Sequence, residues 1–135
     1  MPNNVTFDYA VIRVVPRVER EEFLNVGVIV SCPAFKFLEA RIDPDLDRLL
    51  LFAPIVDIES VREYLDAIPK ICAGDPDSGS IGRLPQRSRF YWLTAPRSTV
   101  IQTSAVHTGL CSSPGAAINH LFETMVRMPG KVVSG

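Results

Sequence analysis

The sequence predicts an α+β fold: a four-stranded, mainly antiparallel sheet with three to four helices packed on it. Three observations carry that expectation. Two β-branched runs, one ending at Val15 and one spanning Val26 to Cys32, lie close together, and each is stopped by a proline. After Asp57 the hydrophobic period changes from two to about 3.6. A last amphipathic segment opens on Ser113-Pro114, a capping residue followed by proline at the first helical turn.

Phe7 to Val15 reads as the first strand, with Ala10, Ile12 and Val14 on one face and Tyr9, Val11, Arg13 and Val15 on the other. Both faces are largely apolar, so the strand is expected to be covered on both sides. Val26 to Cys32 reads as the second. Val26, Val28, Val30 and Cys32 share one face there, and Gly27 marks a bulge or a close approach. Lys36 to Ile42 alternates as a half-exposed third strand, and the short connections suggest a meander. Asp43 or Asp45 is placed to cap a short helix carrying Leu46, Leu49 and Leu50.

Asp57 caps a longer helix with Ile58, Val61, Leu65, Ile68 and Cys72 inward, kinked or confined by Pro69 and stopped by Gly74. Asp75 to Gly82 reads as a flexible loop, and Gln86 to Leu93 as a short helix or irregular covering segment. Its three adjacent aromatics, Phe90, Tyr91 and Trp92, are expected in the core rather than stacking on bases. Thr99 to Val106 reads as the fourth strand. The final helix buries Ile118, Leu121, Phe122 and Met125 and stops at Pro129-Gly130.

The 135 residues suit a single domain over 1–135, with an ordered core over about 6–128 and a frayed tail. A 47% hydrophobic and 21% charged composition excludes disordered and fibrous classes. The start, Met1-Pro2-Asn3-Asn4, lacks the features of a secretion signal, and the apolar runs are too short for a bilayer. Cys32, Cys72 and Cys111 are far apart and odd in number, pointing to free core thiols in a cytoplasmic protein rather than disulfides or zinc. Residues 1–77 hold 14 acids and 8 bases, whereas residues 78–135 hold one acid and 6 bases. That asymmetry marks either an anion-facing surface or two halves that pack together. A net charge of −1 makes no case for nucleic acid.

The most unusual stretch joins the first two strands. Arg13 projects from an otherwise apolar strand, and a guanidinium there needs a carboxylate or an anion. It is either an anion clamp helped by Arg17 and Arg20, or one half of a structural ion pair with Glu21 or Glu22. Glu19, Glu21 and Glu22 lack metal-ligand spacing, so no metal or cofactor is expected. His107, beside Ser104, Thr108 and Gln102, is a candidate for proton transfer with Glu22; the alternative is a structural histidine. Arg97-Ser98-Thr99, with Arg87 and Arg89 upstream, has the residue types to grip a phosphate, without the glycines of a phosphate loop.

Two segments carry a resemblance. Tyr9-Ala-Val-Ile-Arg13 through Asn25-Val-Gly27-Val, with Arg89-Phe90 and Ser98 to His107, resembles the bacterial family catalogued as domain of unknown function 3037. The likeness covers roughly Phe7 to Val126. It implies small bacterial proteins often encoded beside a kinase similar to the HipA toxins, and it brings no catalytic residues to carry over. Two functions are therefore expected to compete. One is an accessory or interaction module, a partner of such a kinase or of another copy of the chain, with the Arg13–Asn25 surface and the aromatic segment as candidate contacts. The other is a small enzyme or anion-binding protein acting on a phosphorylated ligand or nucleic acid. There Arg13, Arg17, Arg97 and Gln102 bind, and His107 with Glu22 moves a proton. The lack of a catalytic constellation favours the first.

Overall fold

The computed structural model describes residues 4–16, 22–43, 47, 57–97 and 99–127. Within them the chain runs through β1 (Val5–Val14), β2 (Leu24–Cys32), β3 (Phe37–Ile42), α1 (Ile58–Ala73), α2 (Gly79–Gly82), α3 (Gln86–Thr94), β4 (Ile101–Thr103), β5 (His107–Cys111) and α4 (Pro114–Met125). The α+β class is as expected, with an open antiparallel sheet. Asp47 apart, the short helix expected around Leu46 to Leu50 lies outside the described residues, as does the tail beyond 127.

β1 is central. It pairs with β2 on one side, and on the other with β4 at its end and β5 at its start; β3 lies outside β2. The expected fourth strand, Thr99 to Val106, is only Ile101–Thr103, and β5 follows as a strand the sequence reading missed; the register shows how they join. Ile12 faces Thr103 while Tyr9 faces His107, so Ser104, Ala105 and Val106 stand against only Ala10 and Val11. An extra residue of this kind bends a strand. Ser104 holds the bend: its N–H donates to Val11 O at 2.8 Å and its Oγ accepts from Val11 N–H at 2.9 Å. The hydroxyl replaces a ladder carbonyl.

A second bulge corrects the face assignment in β2. Ile12 pairs with Gly27 but Arg13 pairs with Asn25, leaving Val26 as the additional residue. Val26 therefore packs with Ile12 and Ile29, while Val28 and Val30 face the other way. Strict alternation misses this, because one inserted residue reverses every side chain beyond it. Gly27 beside the bulge is a close approach: an added Cβ would lie 2.8 Å from the Arg41 carbonyl oxygen.

Each face of the sheet buries a core. Ile12, Val14, Val26 and Ile29 pack beneath Val61, Leu65 and Ile68 of α1 and Phe90 and Leu93 of α3. Val11, Val28 and Val30 pack beneath Ile118, Leu121 and Phe122 of α4. The caps are those expected from sequence. Asp57 Oδ1 accepts from the Glu59 and Ser60 amides, Gly74 turns left-handed at φ 72°, and Ser113 Oγ accepts from the Ala116 amide at 3.3 Å. Pro69 lies inside α1 on its exposed side without ending it. Residues 75–82, expected as a flexible loop, hold a 3-10 turn and a short helix. Asp75 caps a 3-10 turn through the Asp77 amide, and α2 follows. Met125 is exposed, and Val126 takes the inward place expected for it.

Candidate functional site

Arg13, Asn25 and Gln102 stand side by side on three adjacent strands, Arg13 opposite Asn25 on β2 and Gln102 on β4. Three residues widely separated in sequence thus form one row at an end of the sheet, on the face covered by α4. Asn25 Nδ2 donates to the last helical carbonyl, Met125 O, at 3.0 Å. The carbonyl end of α4 therefore comes down on this row, and its partial negative charge favours a cation there. The Arg13 guanidinium carbon lies 4.0 Å from the centre of the Phe23 ring, a cation–π stack. Arg13 Nε and Asn25 Oδ1 are buried without a hydrogen-bond partner. Arg17 and Arg20, expected to help Arg13, lie outside the described residues.

On the opposite face, a cleft of about 340 Å³ opens between α1, α3 and β4. Ile68 and Ile71 of α1, Leu93 of α3 and Ile101 of β4 form its apolar floor; Tyr64 and Trp92 stand at its rim. Arg97, Thr99 and Thr103 supply its polar side, and Gln102, which register places in the Arg13 row, borders it from the edge of the sheet. Arg97 stacks on Trp92 at 4.4 Å while bonding the carbonyls of Trp92, Leu93 and Ala95. Its first task is to close the C-terminal end of α3, and its charge is delivered to the cleft at the same time. Small-molecule and side-chain pockets share this size and this apolar lining with a few polar groups.

Trp92 and Tyr91 correct the expectation that the three aromatics are core. Phe90 alone is fully buried; Tyr91 is 57% and Trp92 41% exposed. Successive helical residues point about 100° apart, so three adjacent rings cannot share one buried face.

The most connected polar cluster escaped the sequence reading. Asp8 stands between Ser31 on β2 and Thr108 on β5. From α3, Arg87 bonds Asp8 Oδ2, donates to Ser31 Oγ at 2.8 Å and to Tyr91 Oη at 3.1 Å, while Thr108 donates to Asp8 Oδ1 at 2.6 Å. Burial acts to raise the Asp8 carboxyl, but the Thr108 and Arg87 hydrogen bonds and the Arg87 charge outweigh it and hold it below its ordinary value. Its sequence signal was an acid in phase with Ala10, Ile12 and Val14. Its partner lies 79 residues away. Each of the five side chains bonds another member of the cluster, which makes it a rivet between α3 and the sheet.

The remaining candidates are placed apart. Arg89 turns inward to bond Leu84 O at 2.6 Å and Cys72 O at 3.3 Å, tying the end of α1 to the following loop. His107 is exposed and lies against the Tyr9 ring, 5.4 Å between centroids. It pairs with Tyr9, four residues along β1 from Arg13, or about 13 Å. Glu22 is exposed just before β2, toward the Arg13 end of the sheet. The geometry therefore does not bring His107 beside Arg13. Cys32, Cys72 and Cys111 are free thiols; burial pushes Cys72 up to about 12, and burial with the neighbouring Cys32 raises Cys111. No group of three or more His, Cys, Asp or Glu is gathered among the described residues, and no described helix is long and apolar enough to cross a membrane.

No curated protein and no solved structure matches the chain. A family model does, over residues 9–126, and those bounds hold the Arg13 row, both bulges, the cleft and α4. The chain belongs to the family described as Protein of unknown function (DUF3037).

Proposed function

We propose that the protein is an accessory interaction module, and that the cleft between α1, α3 and β4 receives an apolar side chain of a partner protein. The observation that carries this reading is an apolar floor left open beneath two exposed aromatic rims, Tyr64 and Trp92. Open aromatic and Arg side chains around an apolar pocket are the groups that dominate binding energy at protein interfaces. Among the described residues Arg97 is the one cation lining the cleft and no acid lines it, so the complementary partner carries a carboxylate beside its apolar anchor. The family resemblance points to a HipA-like kinase as that partner.

The test is co-expression with the kinase encoded beside the gene, followed by co-purification at micromolar concentration. The wild-type chain is expected to retain the kinase. Ala67→Trp, which fills the cleft from the exposed side of α1, is expected to weaken retention at least about tenfold, a loss typical of a blocked hot spot. Clean separation of the wild-type pair, or equal retention by both variants, would sink the reading.

A further inference from the structure

The backbone of β4 offers something its side chains do not. Its ladder with β1 runs through alternate residues: Val15 N–H donates to Val100 O at 2.6 Å, Ser104 N–H donates to Val11 O at 2.8 Å, and Gln102 faces Arg13 between them. Antiparallel alternation then turns the N–H and C=O groups of Ile101 and Thr103 away from β1. β4 is an edge, so no described strand meets those groups, although Ile101 O accepts from Thr99 Oγ1 at 2.7 Å. Ile101 and Thr103 also line the cleft. An open strand edge and an apolar pocket thus share two residues.

The two edges of the sheet are guarded differently. β3 carries Glu39 and Arg41, charges of the kind that discourage a further strand from pairing. From Thr99 to Ser113 there is no Asp, Glu, Lys, Arg or Pro. Val100, next to the open groups, is 40% exposed. An edge without charge or proline is a template for strand addition.

We infer that the β4 edge takes an extended segment of the partner protein as an additional strand, with one aliphatic side chain in the cleft and a carboxylate against Arg97. This rests on the interaction reading above and specifies how the partner is held. The segment is extended because only a strand presents backbone groups at the spacing of Ile101 and Thr103. Arg97 makes three carbonyl bonds with two of its nitrogens, which leaves guanidinium N–H groups for a carboxylate. β4 is only three residues long, so the backbone bonds set direction and register while the anchored side chain supplies most of the affinity.

The probe is a short blocked peptide alternating threonine and valine about one leucine and ending in glutamate, added to the full chain labelled for NMR. Amide exchange at Ile101 and Thr103 is expected to slow at least about tenfold on saturation, while Gln102, already paired, changes little. N-methylating the peptide amide that meets Thr103 O is expected to weaken binding about tenfold, with the protein itself unaltered. Replacing the peptide glutamate by glutamine is expected to weaken it a few-fold at low salt only.

Equal binding by the N-methylated peptide, without slowed exchange but still abolished by Ala67→Trp, overturns strand addition and leaves the cleft reading standing. Absence of saturable binding up to millimolar peptide also overturns it, as does slowed exchange caused by concentration-dependent dimerisation of the chain alone.

Discussion

Asp8 carries a charge into a sheet that is otherwise apolar along this stretch, and its surroundings decide what that charge does. Burial acts to raise its pKa; the Thr108 hydrogen bond and the Arg87 bond and charge lower it further than burial raises it, below the ordinary 3.8. A depressed folded value means a stabilisation present above 3.8 and lost as pH falls through the folded value. Asp8→Asn is therefore expected to lower stability near neutral pH and to flatten the loss of stability below about pH 4. The cost should be about 1–2 kcal/mol, toward the low end for a charged hydrogen bond because the Arg87 side chain stays 36% exposed. Urea unfolding across the acid range checks this; an Asn variant with the wild-type acid limb would refute it. Arg89 and Arg97 make the same point from the other sign. Their types suggested anion binding, and backbone carbonyls at or near helix ends claim donors of both.

Among the elements, β2 and the β4–β5 pair are shaped by bulges. The β2 bulge at Val26 swings Gly27 against β3, where a Cβ would meet a backbone oxygen that is itself fixed in the sheet. Gly27→Ala is expected to cost about 1–3 kcal/mol, the range for forcing atoms into a packed interior. Gly115, at the start of α4 with open space around it, provides the contrast: alanine there should be neutral or slightly stabilising. Denaturant midpoints of the two variants decide the matter, and equal midpoints would overturn the close-approach argument. Helix ends were legible in sequence because a cap is a local contract: Asp57, Gly74, Ser113 and Pro114 act on amides and carbonyls a few residues away. Bulges were not, because an extra residue is defined only against the partner strand.

At the scale of the molecule, one sheet separates two cores, with α1 and α3 over one face and α4 over the other. Ile12 and Val11 are neighbours on β1 yet belong to different cores, so each core rests on the same strands. Leu65→Ala on one side and Phe122→Ala on the other are expected to cost about 2–5 and 3–5 kcal/mol. Because the sheet is shared, each should shift one common unfolding transition followed by circular dichroism and tryptophan fluorescence. Two separated transitions in either variant would show that the layers unfold independently. The charge asymmetry also finds a place here: Arg87 of the basic half and Asp8 of the acidic half meet between α3 and the sheet, as in the reading in which the halves pack together.

By itself the sequence determined the first three strands, the two long helices, most caps, the antiparallel class and the singular position of Arg13, since each follows from period, propensity or a contact within a few residues. Only the tertiary structure decided which polar residues are spent and which are open. Arg87 reaches Asp8 across 79 residues, Arg13 aligns with Asn25 and Gln102 through register, and Trp92 is turned outward beside a cleft built from three elements. Those relations are set by pairing and packing between distant segments, where a one-residue bulge reassigns a whole face. The Arg13 row and the cleft could therefore be located only once the strands were laid side by side.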